Sequence, residues 1–186
     1  KVSLKSSDPL ETIEANRLMS RRSDVPLHIG VTEAGDCFAG AVRSAVGIDV
    51  LLSEGIGDTV RVSLSAPPEA ETRAAWEILR SLGMRRRGVE VISCPGCSRT
   101  RAEVGKIAAE VARATSRVTT PFKAAVMGCE VNGPGESEGA DAAIILGRGK
   151  TAALYIGGVF AARVPAADAA SALAAKIIKL STFIDK

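Results

Sequence analysis

Aromatic side chains are scarce in this chain. Phe, Trp and Tyr make up only 3% of it, too few to build stacking platforms for bases, and a formal net charge of +3 gives no extended electropositive surface. Composition therefore offers no case for nucleic-acid binding. Long apolar runs are also missing. No continuous stretch reaches the roughly 18 to 20 residues of a membrane span, and the N-terminal residues lack the apolar core of a secretory signal, so a cytosolic protein with no membrane partner is expected. Histidine occurs once, as His28, and cysteine four times. Four cysteines, two of them in a C-x-x-C, point to thiolate chemistry in a reducing compartment more than to a disulfide framework. Residue 1 is lysine, not methionine, and it leads directly into a strand-like run, which suggests a piece of a longer protein.

What is present is enough for one or two globular domains. Hydrophobic residues are 46% of 186, sufficient for a true core. Val2 to Lys5 alternates like a strand, and Asp8-Pro9 then opens a helical pattern through Ile13 and Met19. A second strand is expected over Leu27–Thr32 with a helix from about Cys37 to Val46, and a third over Thr59–Leu64 with a helix starting at Pro67-Pro68. Three consecutive βα units imply a parallel sheet, the tail of a larger α/β barrel or doubly wound fold. The basic run Arg85-Arg86-Arg87 reads as a linker or as a solvated charge run, and a domain boundary is placed there, dividing 1–87 from 88–186. Beyond it, strands are expected at Val89–Ile92, Phe122–Met127, Ala142–Leu146 and Ala153–Ile156. Helices are expected from Arg101 to Ala114 and from about Ala166 to Leu180. This second region is a compact α+β domain.

The cysteines carry the sharpest signal. Cys94, Cys97, Cys129 and Glu136 form the pattern C-x2-C-x31-C-x6-E, with each group just beyond a strand-like run. Soft thiolates select zinc, copper(I) or iron–sulfur clusters. A structural zinc site usually closes with a second short-spaced pair of Cys or His, which is missing here. A thioredoxin-type dithiol leaves Cys129 and Glu136 without a role. An iron–sulfur site, a zinc site and a redox pair all remain open, and Glu136, an exchangeable oxygen ligand across the turn Asn132–Gly135, suits a site that must free one position for substrate. Cys37 has no partner at ligand spacing and is expected to be a small buried core residue.

Strand residues two apart share a face. This sets Ser3 with Lys5, His28 with Gly30 and Thr32, and Arg61 with Ser63, opposite a helix-covered face of Val2, Leu4, Ile29, Val31, Val60, Val62 and Leu64. Lys5, Arg61 and Ser63 could clamp a phosphate or diphosphate, and Glu33 at a strand mouth could act as acid or base. The alternative is that Lys5 and Arg61 pair with carboxylates inside the sheet. His28 is expected to be a hydrogen-bonded core histidine.

His28–Gly35, Gly55–Leu64, Cys94–Cys97 and Val126–Glu136, with its Asn-Gly-Pro-Gly-Glu turn, resemble the 4-hydroxy-3-methylbut-2-enyl diphosphate synthase family across almost the whole chain. The resemblance implies the last three βα units of a TIM-type barrel, lacking the earlier strands, followed by a compact α+β [4Fe-4S] domain. It implies an enzyme of the bacterial cytoplasm or plastid stroma, on the methylerythritol phosphate route to isoprenoids. Such an enzyme opens 2-C-methyl-D-erythritol 2,4-cyclodiphosphate and removes water with two electrons from ferredoxin or flavodoxin, and works as a head-to-tail homodimer. By the same resemblance Cys94, Cys97 and Cys129 are cluster ligands with Glu136 as the exchangeable fourth. Lys5, Arg61 and Ser63 bind diphosphate, Thr32 and Glu33 face the substrate carbons with Glu33 a candidate proton donor, and Asn132 lies beside the cluster.

Overall fold

The computed structural model describes residues 1–100, 102–147 and 149–184. Arg101, expected to open a helix, and Arg148, expected in the link between two strands, lie outside them. The chain divides into two compact units, Lys1–Arg86 and Arg87–Lys186. Among the described residues no helix is long and apolar enough to cross a membrane.

The first unit alternates extended segments with helices α1 (Pro9–Ser20), α2 (Cys37–Ser53) and α3 (Pro68–Ser81). Asp8 caps α1 through Leu10 N–H at 2.7 Å, and Asp36 caps α2 through Phe38 N–H at 2.8 Å, satisfying amides that have no partner inside the helix. The strands are much shorter than alternation predicts. Val2 makes only an isolated parallel bridge to Leu27, while β1 (His28–Ile29) and β2 (Thr59–Val60) pair in parallel. Beyond them the regular pairing stops, and the Gly30 carbonyl there accepts from the Arg61 guanidinium at 2.7 Å. Conversely, α2 runs past Val46. Gly47, just past the expected end, is a contact point, where a Cβ would stand 2.9 Å from Val31 Cγ2. The true end is at Gly55 (φ +76), where Ile56 N–H reaches back to the Leu51 carbonyl at 2.8 Å in a Schellman-type cap. Ile13, Leu27, Ile29, Ile48, Leu51, Val62 and Ile78 form the core.

The second unit is a five-stranded sheet in the order β3 (Val89–Ser93), β4 (Phe122–Met127), β5 (Ala142–Leu146), β6 (Thr151–Ile156), β7 (Val159–Pro165). The first three strands are parallel and the last two antiparallel. All of β5, and all of β4 except Lys123, is buried, as expected of central strands covered on both faces. On one face α4 (Val104–Ala114) and α6 (Ala169–Ile184) supply Val104, Val111, Leu173 and Ile177 to the core. The other face buries Ala125, Met127 and Ile145. The strand β7 goes beyond the sequence-based expectation, although Gly157-Gly158 (φ +53 and +78) between Ile156 and Val159 is the two-residue hairpin turn that demands it. The expected turn at Asn132–Gly135 is replaced by a short helix, α5 (Gly133–Glu136).

Candidate functional site

Each unit carries one polar constellation. In the first, the Val2–Leu27 bridge and the β1–β2 register align Ser3, His28 and Thr59 in one layer of the sheet face, and Lys5, Gly30 and Arg61 in the next. Arg61 crosses this face. Its guanidinium donates to Ser3 Oγ and to the Gly30 carbonyl, each at 2.7 Å, while its buried Nε has no partner. Gly30 makes the crossing possible, since a Cβ there would lie 2.1 Å from the Arg61 carbonyl oxygen. Among the described residues neither Lys5 nor Arg61 is paired with a carboxylate. Lys5 is exposed, and Thr32 and Ser63 are half-buried.

The loop after β1 is braced from two sides. Arg43 donates to the Ala34 carbonyl at 3.0 Å and Ser65 N–H to the Gly35 carbonyl at 2.9 Å. Within that loop Glu33 is exposed and takes φ +48, the one described non-glycine residue with positive φ. Such a conformation is disfavoured for a residue with a Cβ and persists only where its surroundings impose it; no sequence signal marks it. His28 is hydrogen-bonded as expected, with Nδ1 2.7 Å from Thr59 Oγ1, but it stands half-buried on this polar face and not in the core. Its pKa is lowered, first by desolvation and then by the positive charges of Arg61, Lys1 and Lys5. Cys37, expected in the core, is exposed, because it lies in the first turn of α2, ahead of the first buried position, Gly40.

In the second unit the parallel neighbours β3 and β4 end together, with Ser93 opposite Val126. Cys94 follows β3 at once, and Cys129 follows β4 by one glycine. The two segments are tied at Gly128, whose N–H donates to Cys94 Sγ at 3.2 Å. A Cβ on Gly128 would meet Thr100 and Val104 at 2.9 Å, so this glycine lets the loop after Cys97 close over the end of β4. Thr100 Oγ1 accepts from Cys97 N–H at 2.8 Å and lies 3.9 Å from its sulfur. The Arg99 N–H and the Thr100 hydroxyl hold the Cys97 thiol below its ordinary pKa, against a smaller desolvation effect. Cys129 is held through its carbonyl, which accepts from Gly133 N–H at 3.1 Å, and Glu136 N–H bonds the Asn132 carbonyl at 2.9 Å. Arg99 and Asn132 face each other at 3.5 Å. Sequence reasoning misses Thr100, Gly128 and Arg99, as only the folded loop brings them to the cysteines.

The cysteines share one sheet edge without closing on a point. Among the described residues no group of three or more His, Cys, Asp or Glu side chains is near enough to hold a metal ion. Cys97 and Glu136 are exposed on loop or helical-turn backbone, where ligands are free to be drawn in on binding. Three soft thiols, two of them already beside backbone N–H donors, together with a carboxylate, fit a thiolate-held metal or iron–sulfur group.

A family model described as the GcpE TIM-barrel domain matches residues 1–76, and one described as the GcpE protein C-terminal domain matches residues 90–179. A Tropheryma whipplei (strain Twist) protein named 4-hydroxy-3-methylbut-2-en-1-yl diphosphate synthase (flavodoxin) is 51% identical over 150 residues, covering 81% of this chain and 40% of its own length. A Geobacter sulfurreducens protein of the same name is 46% identical over 180 residues, covering 97% and 51%. A third, from Streptomyces coelicolor and numbered 2 in its name, is 44% identical over 186 residues, covering 100% and 48%. The chain spans about half the length of the curated relatives it matches.

Proposed function

The chain belongs to the GcpE family, and on that premise we propose that it is the C-terminal portion of a 4-hydroxy-3-methylbut-2-enyl diphosphate synthase. The longer protein would open 2-C-methyl-D-erythritol 2,4-cyclodiphosphate and release one oxygen as water, consuming two electrons and two protons. The flavodoxin in the relatives' names supports flavodoxin as the electron donor, and the longer protein would act as a head-to-tail homodimer. Residues 1–87 are the last three βα units of its barrel and 88–186 its cluster domain.

In this reading Cys94, Cys97 and Cys129 hold a [4Fe-4S] cluster with Glu136 as the exchangeable fourth ligand. When bound, the cluster supplies an electron path and a Lewis acid. Lys5, Arg61 and Ser63 orient the substrate by its diphosphate, combining a point charge, a planar fork and a neutral donor. Thr32 faces the substrate carbons beside Glu33, whose carboxyl can carry a proton to a departing oxygen. Asn132 offers an amide at the cysteine edge.

The observation that carries the reading is the tie between the two cysteine segments, Gly128 N–H to Cys94 Sγ, at the shared end of two parallel strands. Anaerobic reconstitution with iron and sulfide tests it. About four irons and four sulfides per chain are expected, whereas one zinc without sulfide, the signature of a structural three-cysteine module, would sink it. Substituting Glu136→Ala should leave iron and sulfide content unchanged while lowering turnover of the longer protein about tenfold or more. Undiminished turnover would remove Glu136 from the ligand set.

A further inference from the structure

We infer that His28 is the proton-accepting member of the anion site on the first unit, neutral while Lys5, Arg61 and Ser63 are unoccupied and protonated when a diphosphate binds them. The inference rests on the diphosphate reading of that face. His28 stands one layer below Lys5 and Arg61 on the same side of the sheet, where an added positive charge would sit beneath the ligand. Its partner suits both protonation states. A threonine hydroxyl can donate to a neutral Nδ1 and, by rotating, accept from a protonated one, so the 2.7 Å contact with Thr59 survives the change.

The charges around the ring have one sign. Lys1 and Lys5 act on it from the N-terminal segment and Arg61 from the β2 segment. The carboxylate at the foot of β2, Asp58, is engaged by Leu27 N–H at 2.7 Å. The helices supply their core side chains to the opposite face. Without an anion these cations oppose protonation. A diphosphate brings two or more negative charges, cancels that opposition, and should raise the imidazole pKa by about one pH unit or more. Proton uptake then accompanies binding between the free and bound midpoints. Affinity rises as pH falls through the bound value and levels off below the free one, about tenfold higher.

His28 is the only histidine, so its ring signals in an NMR pH titration are unambiguous. The titration is run on the full chain with and without inorganic pyrophosphate, ionic strength being held constant with sodium chloride so that screening is matched. The expected result is an upward midpoint shift of about one pH unit that is lost in Lys5→Gln, a substitution at an exposed position. If pyrophosphate moves the amide signals of Gly30, Arg61 and Ser63 while the His28 midpoint stays within about 0.2, the inference fails and the diphosphate reading stands. A shift that persists undiminished in Lys5→Gln also overturns it, as a general charge effect. No response of either kind up to millimolar pyrophosphate overturns both.

Discussion

Replacing Cys129 with alanine is expected to reduce iron and sulfide incorporation to background while the far-ultraviolet circular dichroism stays that of the parent chain. The other two thiols come from a single loop, Cys94 and Cys97 around Pro95-Gly96, and a C-x-x-C alone ligates only two of a cluster's four irons. Cys129 is the sole thiol from the β4 edge, half-buried and held by its backbone carbonyl, so losing its sulfur should leave the loop intact. Cys94 makes a poorer test. Its sulfur accepts the Gly128 N–H and the residue packs against the core on both sheet faces, so substitution would weaken the fold along with the site. Cys37→Ala is the matched control, since that thiol lies in the other unit and should leave incorporation untouched. Full incorporation in the Cys129 variant would refute the three-thiolate site.

Gly30→Ala should destabilise the first unit by about 3 kcal/mol or more. The new Cβ would stand 2.1 Å from the Arg61 carbonyl oxygen, 3.0 Å from its carbonyl carbon and 3.1 Å from its Cβ, at φ +154. The first two of these are backbone atoms, so the overlap is relieved only by moving β1 from β2. That movement also breaks the bond from the Arg61 guanidinium to the Gly30 carbonyl, and pyrophosphate binding should fall with it. Gly55→Ala separates the two contributions. Its φ is +76 but nothing lies within 4 Å of the added Cβ, so only the backbone penalty of about 1 kcal/mol applies. Trp76, the only tryptophan, lies in α3 of the first unit, so its fluorescence during urea unfolding follows that unit separately. Equal midpoints for the two variants would refute the steric argument.

How much of this is legible in the sequence varies with the length of the pattern. Ala142–Leu146 is an unbroken apolar run and Phe122–Met127 is interrupted only by Lys123, and the structure forms strands over those very residues. The helix start at Asp8-Pro9 is legible because capping chemistry is local, and the start near Cys37 is also placed, with Asp36 as the cap that the structure adds. The strands of the first unit are shorter than their alternation suggests. Alternation reports which face a side chain takes, whereas a ladder depends on what neighbouring segments offer, and here the β1–β2 pairing covers only His28–Ile29 and Thr59–Val60. The helix from Cys37 continues past the expected Val46 to Ser53, with Gly47 at a close approach to Val31 that no local pattern reveals.

The sequence by itself determined the family and the order of its motifs along the chain, because motif spacing, capping residues and apolar runs are properties of neighbouring residues. The tertiary structure alone decided that Arg61 crosses Gly30 to reach Ser3, that Gly128 ties Cys94 to the Cys129 segment, and that His28 stands on a cationic face and not in the core. Each of these joins residues more than 20 positions apart, and a contact across that separation is set by packing and strand register, which no local pattern of side chains encodes.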